Sequence, residues 1–342
     1  MRVLAGDVGG TKTALAIVEI GSRRCRVLRL ERYHSADHAG LEEIVADFLS
    51  AEHGLPPSAG FGVAGPVRDG RSKITNLPWR LDERVLERRT GIRRVTIVND
   101  FGANALGLRF LAPRQVATLA HGRPDPRGPV ALLGAGTGLG QAVLTRAGGE
   151  ESVVSSEGGH VDFGPRSPLE DRLAAFLRAR FGRATRERIL SGSGLALLYE
   201  FLEADGFARP RRAVAAELRG APDPAAVISR LGLARKDRLC RGALDLFVAI
   251  YGSETGNLAL QYRATGGVYV AGGIAPRILP ALKAPAFLRA FHDKPPMKPL
   301  LAGIPVRVVL DPLLGLYGAA AAAAARRAPA TGSRSRRGAR RG

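Results

Sequence analysis

The sequence predicts an α/β protein of two domains, and three observations lead to that prediction. The chain has 342 residues, whereas a single domain usually takes roughly 100–200. Segments with the apolar pattern of strands alternate with segments of helical spacing. A unit of strand, glycine-rich turn and strand opens the chain and recurs after residue 129, which indicates a weak internal duplication.

The first part of the chain is predicted to fold in the order strand, strand, strand, helix, strand. Short apolar runs bounded by turn residues indicate strands at residues 3–5, 14–18, 27–30 and 60–64. Residues 41–49 have helical spacing, and a buried strand at 95–98 precedes a helix predicted over 101–110. Residues 113–129 are rich in Pro, Gly and Arg, so we expect a hinge between the domains there.

The second part is predicted to repeat the opening unit and then to become mainly helical. Strands at 130–133 and 142–145 flank a glycine-rich turn, and helices are predicted at 169–181, 185–190, 195–204 and 241–263. Strands at 268–270 and 306–310 precede a last helix from about residue 313 to 327. Residues 328–342 have no large apolar side chain to pack, so we expect a disordered, Arg-rich tail.

Composition and charge narrow the classes of function. The chain is 45% hydrophobic and 24% charged, as in ordinary globular proteins. Its net charge of +20 favours anionic ligands such as nucleotides, and it would equally suit non-specific contact with nucleic acid. Two cysteines, Cys25 and Cys240, are too few for a disulfide framework. No terminal apolar run reaches the ~20 residues of a membrane span, so we expect a cytoplasmic protein without a membrane partner.

Two glycine-rich turns are candidate phosphate-binding loops. They read Gly6-Asp-Val-Gly-Gly-Thr11 and Gly134-Ala-Gly-Thr-Gly-Leu-Gly140. Backbone N–H groups of such turns, with a threonine hydroxyl, can bind phosphate oxygens, although each loop could also be only a tight turn. The spacing fits neither the dinucleotide fingerprint nor a Walker loop. Together with a third glycine pair, the candidate nucleotide-binding residues are Gly6, Asp7, Val8, Gly9, Gly10, Thr11, Gly134, Gly136, Thr137, Gly138, Gly272 and Gly273.

Asp7 is the candidate metal ligand. It follows the first predicted strand and would lie beside the phosphates. A carboxylate there is unfavourable unless a divalent cation such as Mg²⁺ lies between the charges. We expect Asp7 to hold Mg²⁺ through water.

Eight motifs in a fixed order resemble those of bacterial glucokinases, over a stretch from Asp7 to about Gly318. They are the two glycine-rich turns and Ala64-Gly-Pro-Val67, Thr75-Asn-Leu-Pro-Trp79, Val98-Asn-Asp-Phe101, Glu157-Gly-Gly-His160, Glu187-Arg-Ile-Leu-Ser-Gly192 and Ala271-Gly-Gly-Ile274. The resemblance implies ATP-dependent phosphorylation of glucose with Mg²⁺, the first step of glycolysis.

The resemblance also implies an architecture. It is a two-domain actin-like, hexokinase-type (ribonuclease H-like) α/β fold with the active site in the cleft between the domains. The small domain would comprise residues 1–110 plus about 310–327, and the large domain residues 111–309. A homodimer is implied as well.

The resemblance assigns the acceptor site. It implies that Asp100 is the catalytic base and that the sugar is bound by Asn99, Asp100, Glu157, His160 and Glu187. Transfer of a phosphoryl group to an alcohol needs a carboxylate within hydrogen-bond reach of the hydroxyl. The local pattern alone leaves other interpretations open: a helix cap for Asp100, a solvated loop for Glu157 and His160, and a surface charge at a helix start for Glu187.

Competing functions remain at this point. The acceptor could be mannose, fructose or an N-acetyl-hexosamine, and the donor could be polyphosphate. A sugar-sensing regulator without catalysis is a further alternative, which the presence of Asp100 disfavours. We expect nucleic acid to bind only through non-specific contact with the Arg-rich tail.

Overall fold

The computed structural model describes residues 1–74, 77–147 and 150–325. The predicted tail, the last two residues of the predicted final helix, and Thr75 and Asn76 of one motif lie outside the described residues. In the described residues the strands are β1 (Arg2–Val8), β2 (Lys12–Ile20), β3 (Cys25–His34), β4 (Ala59–Val63), β5 (Val67–Arg68), β6 (Arg71–Lys73), β7 (Arg80–Asp82), β8 (Val95–Asn99), β9 (Val116–Ala120), β10 (Val130–Ala135), β11 (Leu139–Ala147), β12 (Glu150–Ser156), β13 (Gly267–Ala271) and β14 (Val306–Val309).

Helices connect and cover these strands. The α-helices are α1 (Leu41–Ser50), α2 (Glu83–Thr90), α3 (Asp100–Gly107), α4 (Pro168–Phe181), α5 (Gly192–Ala204), α6 (Arg212–Gly220), α7 (Pro224–Leu233), α8 (Arg238–Gln261), α9 (Leu279–Lys283), α10 (Pro285–His292), α11 (Lys298–Ala302) and α12 (Leu314–Ala324). None of the helices in the described ranges is long and apolar enough to span a membrane.

The two main sheets share one strand order. The first runs β3-β2-β1-β4-β8, and the second runs β12-β11-β10-β13-β14 with β9 added at its edge. In both, the first strand of the unit pairs antiparallel with the next strand and parallel with a later one. This common topology bears out the internal duplication that the glycine-rich turns indicated. A third, small sheet consists of β5, β6 and β7.

The first sheet is covered on both faces. Leu4, Leu15 and Phe61 face a core formed with α1 and α2. On the other face, Val3 and Ala5 contact the alanine-rich helix α12. That helix approaches closely, because a Cβ atom on Gly60 would lie only 2.0 Å from the carbonyl oxygen of Ala319. On this packing we propose that α12 belongs to a small domain with residues 1–110 and that residues 111–309 form the large domain.

The second sheet packs against the long helix α8. Phe247 and Tyr251 of α8 are fully buried, together with Phe287 and Phe291 of α10. The hydroxyl of Tyr251 accepts a hydrogen bond from the Ala135 N–H at 3.0 Å, where β10 ends. Helix α8 therefore supports the second glycine-rich turn directly.

Two stretches differ from the predicted elements. Residues 113–129, which we expected to be a hinge, contain β9, which pairs with β14 at the sheet edge. Residues 185–190 form an irregular turn and not a helix, because the N–H groups of Arg186 and Glu187 donate to Val161 and Gly159. The other predicted strands and helices are present, with small shifts of their ends.

Candidate active site

Asp100 begins helix α3 directly after β8, as the sequence predicted. The cap of this helix is Asn99, whose Oδ1 accepts from the N–H groups of Phe101 and Gly102 at 3.0 and 3.1 Å. Asp100 occupies the first helical position, and its Oδ1 accepts from Phe101 N–H at 2.8 Å. The capping interpretation therefore applies to Asn99.

The surroundings of Asp100 make it a stronger base than an ordinary aspartate. Burial raises the pKa of Asp100 to about 6, and the carboxylates of Asp7 and Glu157 raise it too, against the lowering effect of the Phe101 N–H. Such a group is still ionised at neutral pH and accepts a proton more readily than a solvated carboxylate.

Asn99 has only limited capacity left for a ligand. Its Oδ1 caps the helix, and its Nδ2 donates to the carbonyl oxygen of Gly65 at 3.1 Å. Gly65 has a φ of 135°, a conformation that favours glycine. Asn99 thus ties the start of α3 to the loop after β4, and one amide hydrogen is left for a sugar hydroxyl.

Glu157, His160 and Glu187 come together, and we call them the acid–histidine cluster. His160 Nε2 lies 4.0 Å from Glu157 Oε2, and His160 Nδ1 lies 3.7 Å from Glu187 Oε1. The side chain of His160 is 63% exposed, that of Glu157 64% and that of Glu187 32%, so all three are open to a ligand. The predicted residues of the acceptor site thus converge, although no single element carries them.

The acid–histidine cluster is joined to the second glycine-rich turn. Glu187 Oε2 accepts from Leu139 N–H at 2.9 Å, and a Cβ atom on Gly138 would lie 2.5 Å from that oxygen. Gly138 therefore permits a close approach of the Glu187 carboxylate. The acceptor side and this candidate phosphate loop form one connected unit.

The candidate phosphate-binding glycines differ in their surroundings. A Cβ atom on Gly134 or Gly272 would come within 2.8 or 2.4 Å of backbone atoms, so these two glycines are required by packing. A Cβ atom on Gly136 or Gly273 would meet nothing within 4 Å, so these two face open space. Gly136 N–H donates to Gly138 O at 2.8 Å and is thus used by the turn itself.

Ser35 supports the first glycine-rich turn by hydrogen bonds to its backbone. Gly9 N–H closes the turn on Lys12 O at 3.0 Å. The buried hydroxyl of Ser35 donates to Gly9 O at 2.9 Å and lies 3.0 Å from Thr13 Oγ1, while Ser35 N–H donates to Thr11 O at 3.1 Å. Ser35 thus contacts both sides of the turn. Thr11, the candidate hydroxyl donor, is exposed.

Asp7 lies at the end of β1, paired with Ala14 of β2 and Gly62 of β4. Its side chain is open to solvent on one side. On the other sides the surrounding protein desolvates the carboxyl and so raises its pKa above the ordinary value. A Cβ atom on Gly315 would lie 3.3 Å from Asp7 Oδ2, so the start of α12 borders the carboxylate.

A cavity of about 360 Å³ lies where the two halves of the chain face each other. Its lining includes Pro66, Val67, Asn99, Val153, Ser155 and Glu157. It therefore connects the strand end that carries Asp100 with the strand end that carries Glu157, and it is large enough for a small polar ligand.

Several residues that shape the site were missed by the sequence analysis. They are Ser35, Gln141, Tyr251 and Glu254, all of which act by long-range contacts. Only Glu254 had a local signal, since it is an acid in a stretch of α8 that is otherwise nearly free of charge.

Two sheets of like topology, each with a glycine-rich turn, and a strand-end carboxylate between them define a sugar kinase of the hexokinase type. The Glucokinase family model matches residues 4–326. A glucokinase of Nostoc punctiforme is 41% identical over 336 residues, covering 94% of this chain and 98% of that protein. The chain belongs to the glucokinase family.

Solved structures agree with this fold. The crystal structure of glucokinase from an Antarctic psychrotroph superposes with a TM-score of 0.83 at 30% identity, covering 94% of this chain and 98% of the other. A ROK family glucokinase from Streptomyces griseus, crystallised with glucose and AMPPNP, has a TM-score of 0.62 at 23% identity and covers 94% of this chain and 99% of the other. The predicted hexokinase-type fold is confirmed.

Proposed function

We propose that the protein transfers the γ-phosphoryl group of ATP to the 6-hydroxyl of glucose. Family membership supports glucose phosphorylation. The observation in the molecule that carries the proposal is the convergence of Asp100, at the end of β8, with the acid–histidine cluster beside the second glycine-rich turn.

Asp100 is the catalytic base in this proposal. Its ionised carboxylate takes the proton of the 6-hydroxyl as the oxygen attacks the γ-phosphorus. A new O–P bond to the sugar forms, the bond between the γ-phosphorus and the bridging oxygen breaks, and ADP leaves. The burial that raises the pKa of Asp100 to about 6 improves its driving force for accepting that proton.

The acid–histidine cluster and Asn99 position the sugar. Ionised carboxylates only accept hydrogen bonds, and sugar hydroxyls donate them, so Glu157 and Glu187 suit a polyol. His160, 3.7 Å from Glu187, can add either a donor or an acceptor. Asn99 contributes its remaining amide hydrogen.

The donor side rests on the two glycine-rich turns. Gly136 and Gly273 face open space, which leaves room for phosphate oxygens against the backbone. The basic charge of the chain favours an anionic donor. We therefore propose ATP as the phosphoryl donor, bound between these turns.

Asp7 fits a magnesium site. Mg²⁺ in phosphotransferases keeps several waters and takes one or two carboxylates together with phosphate oxygens. Asp7 offers one carboxylate that opens to solvent at the end of β1. Bound there, Mg²⁺ would offset the negative charge between Asp7 and the phosphates.

The test is ADP release by the purified full chain, with each of several hexoses. We expect release to depend on glucose, ATP and Mg²⁺, with mannose, fructose and N-acetyl-glucosamine as weaker acceptors. Release that is independent of sugar, or that requires another sugar or polyphosphate, would contradict the proposal.

Two finer expectations remain proposals. We propose that the chain forms a homodimer, as the resemblance implies, and that it acts in the cytoplasm, as the sequence analysis predicted. Light scattering coupled to size exclusion tests the first, because a mass of one chain, 36.2 kDa, would refute it.

A further inference from the structure

Glu254 is a carboxylate inside the core beneath the acid–histidine cluster. It lies on α8 and is only 4% exposed. Arg186 Nη1 and Gln141 Nε2 donate to its Oε1 at 2.5 and 3.0 Å, and Asn257 Nδ2 donates to its Oε2 at 3.0 Å. The proposed chemistry gives Glu254 no role.

One of these partners, Arg186, lies on a segment that carries the acid–histidine cluster, and another, Gln141, packs against the other segment. Arg186 directly precedes Glu187 in the irregular turn. Gln141 pairs with Ser156 in the ladder of β11 and β12, one residue before Glu157. A Cβ atom on Gly158 would lie 2.1 Å from Gln141 Oε1, so the Gln141 amide packs directly against the turn that leads to His160.

The cluster residues need such an anchor because they lie on irregular segments. Residues 158–160 form a single short 3-10 turn, and residues 185–190 form no helix. Helix α8 spans 24 residues and is packed into the core of the second sheet. Through Glu254, both irregular segments are bound to one rigid element.

The ion pair between Arg186 and Glu254 need not add much to the stability of the fold. Burial raises the pKa of Glu254, against the lowering effect of Arg186 and the amide donors. Removing two charges from water offsets much of the attraction between them, and well-packed apolar side chains often serve stability as well. Stability alone therefore does not account for the Arg186–Glu254 pair.

We propose that Glu254 is a positioning residue for the acceptor sugar: by holding Arg186 and Gln141 it fixes Glu187 and the turn from Glu157 to His160 in the arrangement that binds glucose. The inference rests on the proposed function. It concerns a residue that touches neither sugar nor nucleotide.

The experiment compares the wild type with Glu254→Gln and with the double variant Arg186→Met/Glu254→Gln. The double variant leaves no unpaired buried charge, so we expect it to fold even where the single variant does not. Small displacements of groups that position a substrate have large effects on its binding and reaction. We therefore expect the Kd and KM for glucose to rise about tenfold or more in either folded variant. The KM for ATP should change less than about twofold.

The matched control is Glu52→Gln. The side chain of Glu52 is 8% exposed and pairs with Arg2, at the end of β1 opposite Asp7, and with Arg29 of β3. Its replacement removes a nearly buried carboxylate from two arginines, so we expect a lower thermal midpoint with unchanged glucose KM.

Three outcomes would overturn the inference. These are a folded double variant with wild-type glucose affinity, an equal rise of the glucose and ATP KM values, or loss of folded protein in both variants. Glucose binding is also measured by calorimetry. A wild type that binds glucose without phosphorylating it would refute the proposed function, while the binding data would still decide the role of Glu254.

Discussion

Asn99 and Asp100 are neighbours in the sequence and differ in what the fold leaves them free to do. Asn99 has its oxygen and one amide hydrogen engaged with the backbone. Asp100 accepts a hydrogen bond from the Phe101 N–H and lies in an environment that raises its pKa. The sequence placed both at the right strand end but could not tell which one caps the helix, because Asn and Asp are equally good caps.

Asp100→Asn is expected to separate binding from chemistry. Asn keeps the shape and an acceptor oxygen for Phe101 N–H but cannot take a proton, so kcat should fall by about 10²–10⁴ with glucose affinity retained. The thermal midpoint at pH 7 should hold or rise, because a folded-state pKa raised above the unfolded value means that ionised Asp100 opposes folding. Turnover within about threefold of wild type would remove Asp100 as the base.

The pH dependence of kcat/KM for glucose should report the same residue. A base with a pKa of about 6 is protonated, and inactive, at lower pH. We expect the rate to rise through that pH to a plateau near neutrality, in initial-rate measurements with the fold checked by circular dichroism. A profile that is flat from about pH 5 to 7 would contradict this assignment.

At the scale of elements, the two glycine-rich turns are held in different ways. The second is fixed at its base by the Tyr251 hydroxyl and on its far side by Glu187. The first depends on Ser35, which binds backbone groups on both sides of the turn. A change at Ser35 should therefore disturb the first turn and leave the supports of the second turn intact.

Ser35→Ala should weaken the binding of ATP. The change removes the hydrogen bond to Gly9 O and leaves that carbonyl without its donor, so the turn loses its fixed position. We expect a rise of ATP KM of about three- to tenfold with little change in glucose KM, measured by steady-state kinetics. Ser58→Ala is the control, since the buried Ser58 hydroxyl has no hydrogen-bond partner among the described residues. Equal effects of the two changes would refute the role of Ser35.

The sequence predicted those elements whose residue pattern over a short stretch is enough to determine their structure. The glycine-rich turns, the strand before Asp100 and helix α8 were predicted because their residue patterns are strong over short stretches. The helix at 185–190 was wrong, since tertiary hydrogen bonds to Gly159 and Val161 override the propensity of that segment. Glu254 meets Gln141 across 113 residues of sequence, a pairing that no local pattern reveals.

At the scale of the whole molecule, the Arg-rich tail should be dispensable for catalysis. The match to the family ends at residue 326, and residues 328–342 have no apolar side chain larger than Ala or Pro. A chain that stops after Arg327 should keep its glucose turnover within about twofold, and it should elute from heparin at lower salt because it has lost five arginines. A tenfold loss of turnover at moderate salt would show that the tail contributes to the active site.

The central claim is that both halves of the chain act together to phosphorylate glucose at its 6-hydroxyl. Phosphorus NMR of the wild-type reaction with ATP, Mg²⁺ and glucose tests it most directly, because it identifies the product and counts it against ADP. We expect glucose 6-phosphate and ADP in equal amounts, with neither formed when glucose is left out. Inorganic phosphate in place of a sugar phosphate, or phosphorylation at another hydroxyl, would contradict the account.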